Sequence, residues 1–296
     1  MHIISASRRT DIPAFYMPWF MNRLIAGFAS YPNPVSGQTV TVGLQPDDVH
    51  SIVFWSKHYA PFLPHIDELG EHGYRFVCHY TITGAPRTLE PHVPCWEHAV
   101  QIFRELADRT SPQQVLWRFD PILVTPELDA VFYRDRFQEI AAALAGSTTR
   151  CYFSFATFYG KVARRLAHSR IQAIDLPLAA KQALVADLVE IAAAHGITLF
   201  ACCQPELLNE HIQPTRCVDG ELLAALFPDR PPITRAAPSR EGCGCMVSRD
   251  IGMYDTCPYG CVYCYATNNP AAALARHRAH DPQAEQLLPG QSTKPG

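Results

Sequence analysis

Nowhere in the 296 residues does an uninterrupted apolar run approach the roughly 18–20 residues that a membrane-spanning helix requires. A basic N-terminal region leading into an apolar one is also missing, so no secretory leader is expected and a cytoplasmic location is. Net charge is small. Lys and Arg number 25 against 28 Asp and Glu, for a formal charge of −3, so the whole chain has no basic footprint for nucleic acid and no pull toward an anionic membrane surface. No G-x-G-x-x-G follows a β-rich run, which leaves a dinucleotide-binding site without support. No internal repeat is present, which sets solenoid architectures aside.

What the chain does have is alternation. Short β-rich apolar runs recur at 3–6, 51–55, 75–82, 115–117, 151–155 and 198–202. Helical stripes lie between several of them: Trp96, Val100 and Phe103 at i, i+4, i+7; Phe137, Ile140, Ala141 and Leu144 at i, i+3, i+4, i+7; and Leu184, Leu188 and Ile191 ahead of His195-Gly196, where glycine suits a helix terminus. Strand–helix alternation favours a parallel sheet. The expected fold is therefore α/β: a partial, TIM-like (βα) barrel of about six parallel strands over residues 1–240, with an open doubly wound sheet as the alternative. The Pro- and Ala-rich stretch 227–238 reads as a connection to a cysteine-rich segment, 241–272, expected to pack on the barrel mouth. Residues 273–296 are polar and punctuated by Pro and Gly, and are expected to be a disordered tail.

In parallel sheets ligands bind beyond the carboxyl ends of the strands, and here those ends are loaded with polar groups. Arg8, Arg9 and Arg118 offer planar donor forks for a carboxylate or phosphate, which suggests an anionic ligand. Asp11, Asp120 and Glu206 could accept from an amine or a ribose hydroxyl, and His79 and Lys57 are the candidate proton carriers. The plainer alternative is structural: Arg8 with Asp11, and Arg118 with Asp120, as ion pairs closing the mouth.

Five of the eleven cysteines fall between positions 243 and 264. In a reducing compartment such a cluster points to metal rather than to disulfides. Cys243-x-Cys245 with Cys261-x-x-Cys264 could close a tetrahedral zinc site. The tighter unit, however, is the triplet Cys257-x3-Cys261-x2-Cys264. Three thiolates on one short loop can bind three irons of a [4Fe–4S] cubane and leave the fourth without a protein ligand. Pro258 and Gly260 suit a tight loop around such a cluster. Cys243 and Cys245 are candidates for additional ligands, and either would convert an open cluster into a fully ligated structural or electron-transfer one.

The stretch Cys257-Pro-Tyr-Gly-Cys261-Val-Tyr-Cys264-Tyr-Ala resembles the cluster loop of the radical S-adenosylmethionine superfamily. The resemblance implies a [4Fe–4S] cluster, S-adenosylmethionine as co-substrate, Tyr263 as an adenine contact, and an electron donor such as flavodoxin or ferredoxin. Asn269 and Pro270 fit the cap and first residue of the helix that follows such loops. In that superfamily the loop follows the first strand, whereas here it follows every predicted one, and no Gly-Gly-Glu is present to hold the S-adenosylmethionine amino group. A circular permutation reconciles the order. Residues 246–254 would then supply the missing strand, the next strand would be 3–6, and Ser7–Asp11 would stand in for Gly-Gly-Glu. The whole chain also resembles a bacterial family of unknown function that combines S-x-S-R-R-T-D-I-P, W-R-x-D-P and this cysteine cluster.

Overall fold

The β-rich runs and apolar stripes become, in a computed structural model describing residues 1–238 and 240–288, a large parallel sheet with helices along it. In chain order the elements are β1 (His2–Ala6), α1 (Ile12–Phe15), α2 (Met17–Ala26), β2 (Phe28–Pro32), β3 (Thr39–Gly43), β4 (Val49–Ser56), α3 (Ile66–Glu71), β5 (Phe76–Thr81), α4 (Trp96–Arg109) and β6 (Val115–Ile122). There follow α5 (Ala130–Leu144), β7 (Arg150–Phe155), α6 (Gly160–His168), α7 (Leu178–Ala194), β8 (Thr198–Ala201), β9 (Ile212–Pro214), α8 (Gly220–Leu226), β10 (Arg249–Asp250) and α9 (Pro270–Arg278). Eight strands pair in the order β10-β1-β4-β5-β6-β7-β8-β9, every neighbour parallel. Strands β2 and β3 form a separate antiparallel hairpin.

The expected α/β class and parallel sheet are present, but the strand count and closure differ. The sheet has eight strands rather than six, and it is open, with β10 and β9 at its edges. Both edge strands are very short, two and three residues, so neither leaves an alternating pattern that could be read beforehand. Strand β10 falls inside the 246–254 run and lies beside β1, with Ile4 opposite Arg249 and Ser5 opposite Asp250.

Period-2 alternation gives each central strand two faces. Ile52 and Phe54 of β4, Phe76 and Tyr80 of β5, and Trp117 and Phe119 of β6 join the large core under helices α2 to α7. Their neighbours Val53, Val77 and Leu116 point the other way, into a smaller core with Tyr152, Leu222 and Leu223 of α8, and cysteines. The helix ends follow local chemistry. Gly196, at φ 70°, follows α7 and takes up a left-handed conformation that a Cβ would disfavour. Asn269 caps α9 by accepting from the Ala272 N–H at 3.0 Å, with Pro270 as the first helical residue.

The expected tail differs as well. Residues 273–278 complete α9, and the segment after it is anchored through Leu287 and Leu288, both buried. The Trp19 indole N–H donates to the Ala284 carbonyl at 2.9 Å and Ser30 N–H to Glu285 at 3.1 Å. A few apolar residues in a polar stretch sufficed to fix it. Residues 289–296 of that expected tail lie outside the described residues. Among the described residues no helix is long and apolar enough to cross a membrane.

Candidate functional site

The carboxyl end of β10 is held to the carboxyl end of β1 by one carboxylate, Asp250. Its oxygens accept from Ser5 Oγ (2.9 Å), Ser7 Oγ (2.6 Å), the Arg8 N–H (2.8 Å), the Gly252 N–H (3.1 Å) and Arg9 Nε (3.2 Å). Burial works against the charged form, but Arg9, Ser7 and Arg8 outweigh it and hold the Asp250 pKa below the ordinary carboxylate value. Arg9, expected to grip a ligand, is therefore committed to Asp250, also donating to its carbonyl at 2.7 Å. Gly252 lies against the same segment, where a Cβ would run into Ser7 and Thr10. Thr10 is tied in turn to Met253 and Thr256, and the Tyr16 hydroxyl donates to the Thr256 carbonyl at 2.6 Å.

These ties carry the chain directly into the triplet loop. Gly260 adopts φ 70° at its tip. Cys261 and Cys264 lie near enough to Cys257, and Cys264 to Cys261, to add to the shifts of those thiols. Burial pushes the Cys257 thiol well above its ordinary pKa, and Asp11, Cys264 and Cys261 add to the effect. Burial likewise raises Cys261, against the pull of the Lys57 ammonium. A backbone N–H from Ala266 reaches the Cys264 sulfur at 3.3 Å. Arg165 clamps the loop from outside by donating to the carbonyls of Cys264 and Thr267.

Beside the triplet lies a buried polar knot. Lys57 Nζ meets Glu90 Oε1 at 2.9 Å, and the same carboxylate accepts from Thr83 Oγ1 at 2.7 Å and from the Tyr263 hydroxyl. Burial opposes the Lys57 ammonium, but Glu90 and Cys261 raise its pKa, so it stays charged. Tyr263 thus sits at the triplet, its ring 5.7 Å from that ammonium. Asp11 caps α1, accepting from the Ala14 N–H (3.1 Å) and the Lys57 N–H (2.9 Å); burial raises its pKa to about 6. Those two N–H groups take up Asp11, and the pair expected between it and Arg8 is not made among the described residues.

Arg8 instead lies with its guanidinium 5.1 Å above the Trp55 ring, its Nη2 buried and without a hydrogen-bond partner among the described residues. Arg118 covers the same ring at 5.5 Å and makes the expected ion pair with Asp120, which also accepts from Ser154. His79 stacks on Trp55 at 4.3 Å and bonds through Nε2 to the Cys217 carbonyl at 2.7 Å. Burial, aided by Arg118, drives its pKa far below the ordinary value, so the ring is neutral and sandwiched rather than poised to carry protons. Glu206 is not brought to the site. It sits exposed on a short turn after β8, where its carbonyl accepts from Gln182 at 3.3 Å.

Cys243 and Cys245 are placed away from the triplet. They join Cys202, Cys203 and Cys217 in the smaller core on the other face of the sheet. The zinc site expected from Cys243, Cys245, Cys261 and Cys264 is thereby separated into two groups. Among the described residues no three or more His, Cys, Asp or Glu side chains converge as they would on a single metal ion. What the triplet offers is three thiols on one loop, with a backbone N–H on the Cys264 sulfur and the Lys57 ammonium near Cys261.

Two elements of this site had little signal in the sequence. Glu90 lies in an irregular segment with no pattern around it. Asp250 could have been found as the acid inside the 246–254 run, two residues before Gly252. A search of the curated proteins finds no match to the chain. A family model described as a domain of unknown function (DUF1848) matches residues 3–266, nearly the whole length, and the chain belongs to that family.

Proposed function

We propose that the protein is a radical S-adenosylmethionine enzyme whose cluster loop, Cys257–Cys264, is delivered from the C-terminal side of a permuted, barrel-like sheet. The observation that carries this reading is the division of the cysteines. Three lie together on one loop over the ends of β1 and β4, while Cys243 and Cys245, the thiols nearest in sequence that could have capped a fourth iron, lie elsewhere. A cubane bound by three thiolates would supply an open iron to chelate the amino and carboxylate groups of S-adenosylmethionine, and the electron that cleaves its sulfonium.

The chain's own residues have definable parts in this. Arg8, with an unpartnered buried Nη2, is suited to the methionine carboxylate through a charge-assisted hydrogen bond. Ser7 and Thr10, expected to replace Gly-Gly-Glu, are instead committed to Asp250 and to the loop, so they position Arg8 and the triplet rather than touch a ligand. Tyr263 is fixed by Glu90 and Lys57 beside Cys264, where its ring can meet a purine. Trp55 lies under two guanidiniums, a grouping that suits an anionic substrate. The electron donor would be a small protein of the flavodoxin or ferredoxin kind.

Anaerobic reconstitution with iron and sulfide tests the proposal. The expected result is a reduced-cluster EPR signal that changes on addition of S-adenosylmethionine, with 5′-deoxyadenosine released under reductant. An iron–sulfur protein whose signal ignores S-adenosylmethionine and that forms no 5′-deoxyadenosine would overturn it.

A further inference from the structure

Five cysteines that are spread over the sequence meet in one place. Cys202 and Cys203 follow β8, Cys217 follows β9, and Cys243 and Cys245 come from the loop before β10. The sulfurs of Cys202 and Cys203 are 4.0 Å apart. Cys217 is hydrogen-bonded to both Cys202 and Cys245, and Cys243 lies close enough to Cys245 to perturb it. We propose that this group is a second binding site, for an iron–sulfur cluster separate from the one on the Cys257–Cys264 loop.

Simple burial of thiols as small apolar side chains accounts for part of the arrangement, since Ile3, Val53, Leu116 and Val218 line the same core. It does not account for the donors. Arg118 Nη1 points at the Cys217 sulfur (3.2 Å), Arg240 Nη2 at Cys202 (3.4 Å) and the Val218 N–H at Cys245 (3.5 Å). Arg8 lies near Cys245 and Cys217 as well. Arg118 also answers Asp120 and Arg240 is exposed, but the sulfur-facing N–H donors of these guanidiniums, with the buried Arg8 Nη2, would be poorly compensated by neutral thiols. Facing a thiolate-bound cluster of net negative charge they are matched, and N–H donors on cluster sulfurs are the usual outer shell of such a group.

The backbone is shaped to the same end. Cys203 is held at φ +54°, a conformation that non-glycine residues seldom adopt. Gly242, at φ +72°, is in ordinary van der Waals range of it, a Cβ there standing 3.5 Å from the Cys203 Cα. Two separate loops thus meet where the thiols gather. Among the described residues these thiols form no single-ion site; they touch one another, and a polynuclear cluster would part them, with iron and sulfide between. Binding would displace the thiol protons, and five thiols provide one more than the four such a cluster takes.

The test uses the full chain, reconstituted anaerobically with ferrous iron and sulfide, and compares it with the triple variant Cys257→Ser/Cys261→Ser/Cys264→Ser. Two cubanes give about eight irons per chain and the triple variant keeps about four, with an EPR signal indifferent to S-adenosylmethionine. A wild-type value of about four that falls to none in the triple variant overturns the second site, as does one tightly bound zinc in place of the iron. The variant Cys217→Ser/Cys245→Ser covers the case in which the triple variant fails to fold. It is expected to halve the iron while leaving the response to S-adenosylmethionine intact, and an undiminished iron content overturns the proposal. Failure of the radical reading would show separately, as an unchanged EPR signal at full iron content.

Discussion

The two cysteine groups are built in opposite ways. The triplet comes from one eight-residue loop whose spacing does the work, and its surroundings are an ammonium, a carboxylate and a tyrosine in a closed polar knot. The five-thiol group is gathered from three chain segments by the sheet itself, and its surroundings are guanidiniums and an apolar lining. On the proposed reading, a group bound by the first would keep one side open to S-adenosylmethionine. The second offers thiols on more sides and would suit an enclosed group with no exchangeable ligand.

The sharpest way to break that comparison is to remove each group in turn and assay 5′-deoxyadenosine under reductant. Cys261→Ser is expected to lower its formation by more than about 100-fold, because a direct cluster ligand matters more than the outer-shell groups whose loss costs about 10–100-fold. Cys217→Ser/Cys245→Ser is expected to leave reductive cleavage within about threefold of wild type, on the same scale. Equal losses from both would mean that the groups act as one unit and that the proposed division of roles is wrong.

The contrast also marks how far the sequence could be read. Alternation of β-rich runs and apolar stripes was enough for the parallel sheet and for α4, α5 and α7, since those elements are long and periodic. It did not reveal β9 and β10, because two or three residues carry no period and pair only where the rest of the sheet presents an edge. The triplet was legible because all its ligands lie within one loop. Cys202, Cys203 and Cys217 looked scattered, since only the order β7-β8-β9 brings them to Cys243 and Cys245. Arg9 and Asp11 were read as ligand-binding groups for the same reason. A strand-end charge seen without its partner looks available, and here the partners were a carboxylate some 240 residues away and a backbone N–H from β4's exit.

Asp250 joins the strand beneath the triplet to the segment that carries Arg8, so its loss should disturb both groups through the fold. Asp250→Asn leaves Arg9 buried without its carboxylate, and the expected cost is about 3–5 kcal/mol in urea unfolding of the cluster-free protein. The pH dependence has a definite sign. The folded pKa of Asp250 is lowered, so its stabilisation is complete above the ordinary Asp value of about 3.9 and is lost as pH falls through the folded value. The variant should therefore be less stable at neutral pH and show a shallower acid transition. An unchanged stability at pH 7 would remove Asp250 as the tie. Arg8→Gln comes next in size. Loss of one charge-assisted hydrogen bond, about 1.5–3 kcal/mol, should weaken S-adenosylmethionine binding by about 10–150-fold on that scale, measured by EPR titration, with iron content unchanged.

The smallest effect separates the groups most cleanly. Arg240 is exposed along most of its length, yet it donates to Cys202 Sγ at 3.4 Å and to the Tyr159 hydroxyl at 3.1 Å. Removing a positive charge and an N–H donor from a cluster sulfur destabilises the reduced, more negative state, so Arg240→Gln should make the second cluster's potential more negative. At about 0.5–1 kcal/mol for such a bond, and 59 mV for each 1.4 kcal/mol in a one-electron couple, the shift is about 20–40 mV. Potentiometric EPR of the Cys257→Ser/Cys261→Ser/Cys264→Ser background isolates that signal, and Tyr159→Phe, which leaves the sulfur contact intact, should not move it. With the three triplet cysteines restored, a shift in the triplet's potential instead would place Arg240 electrically nearer the loop than its contacts allow.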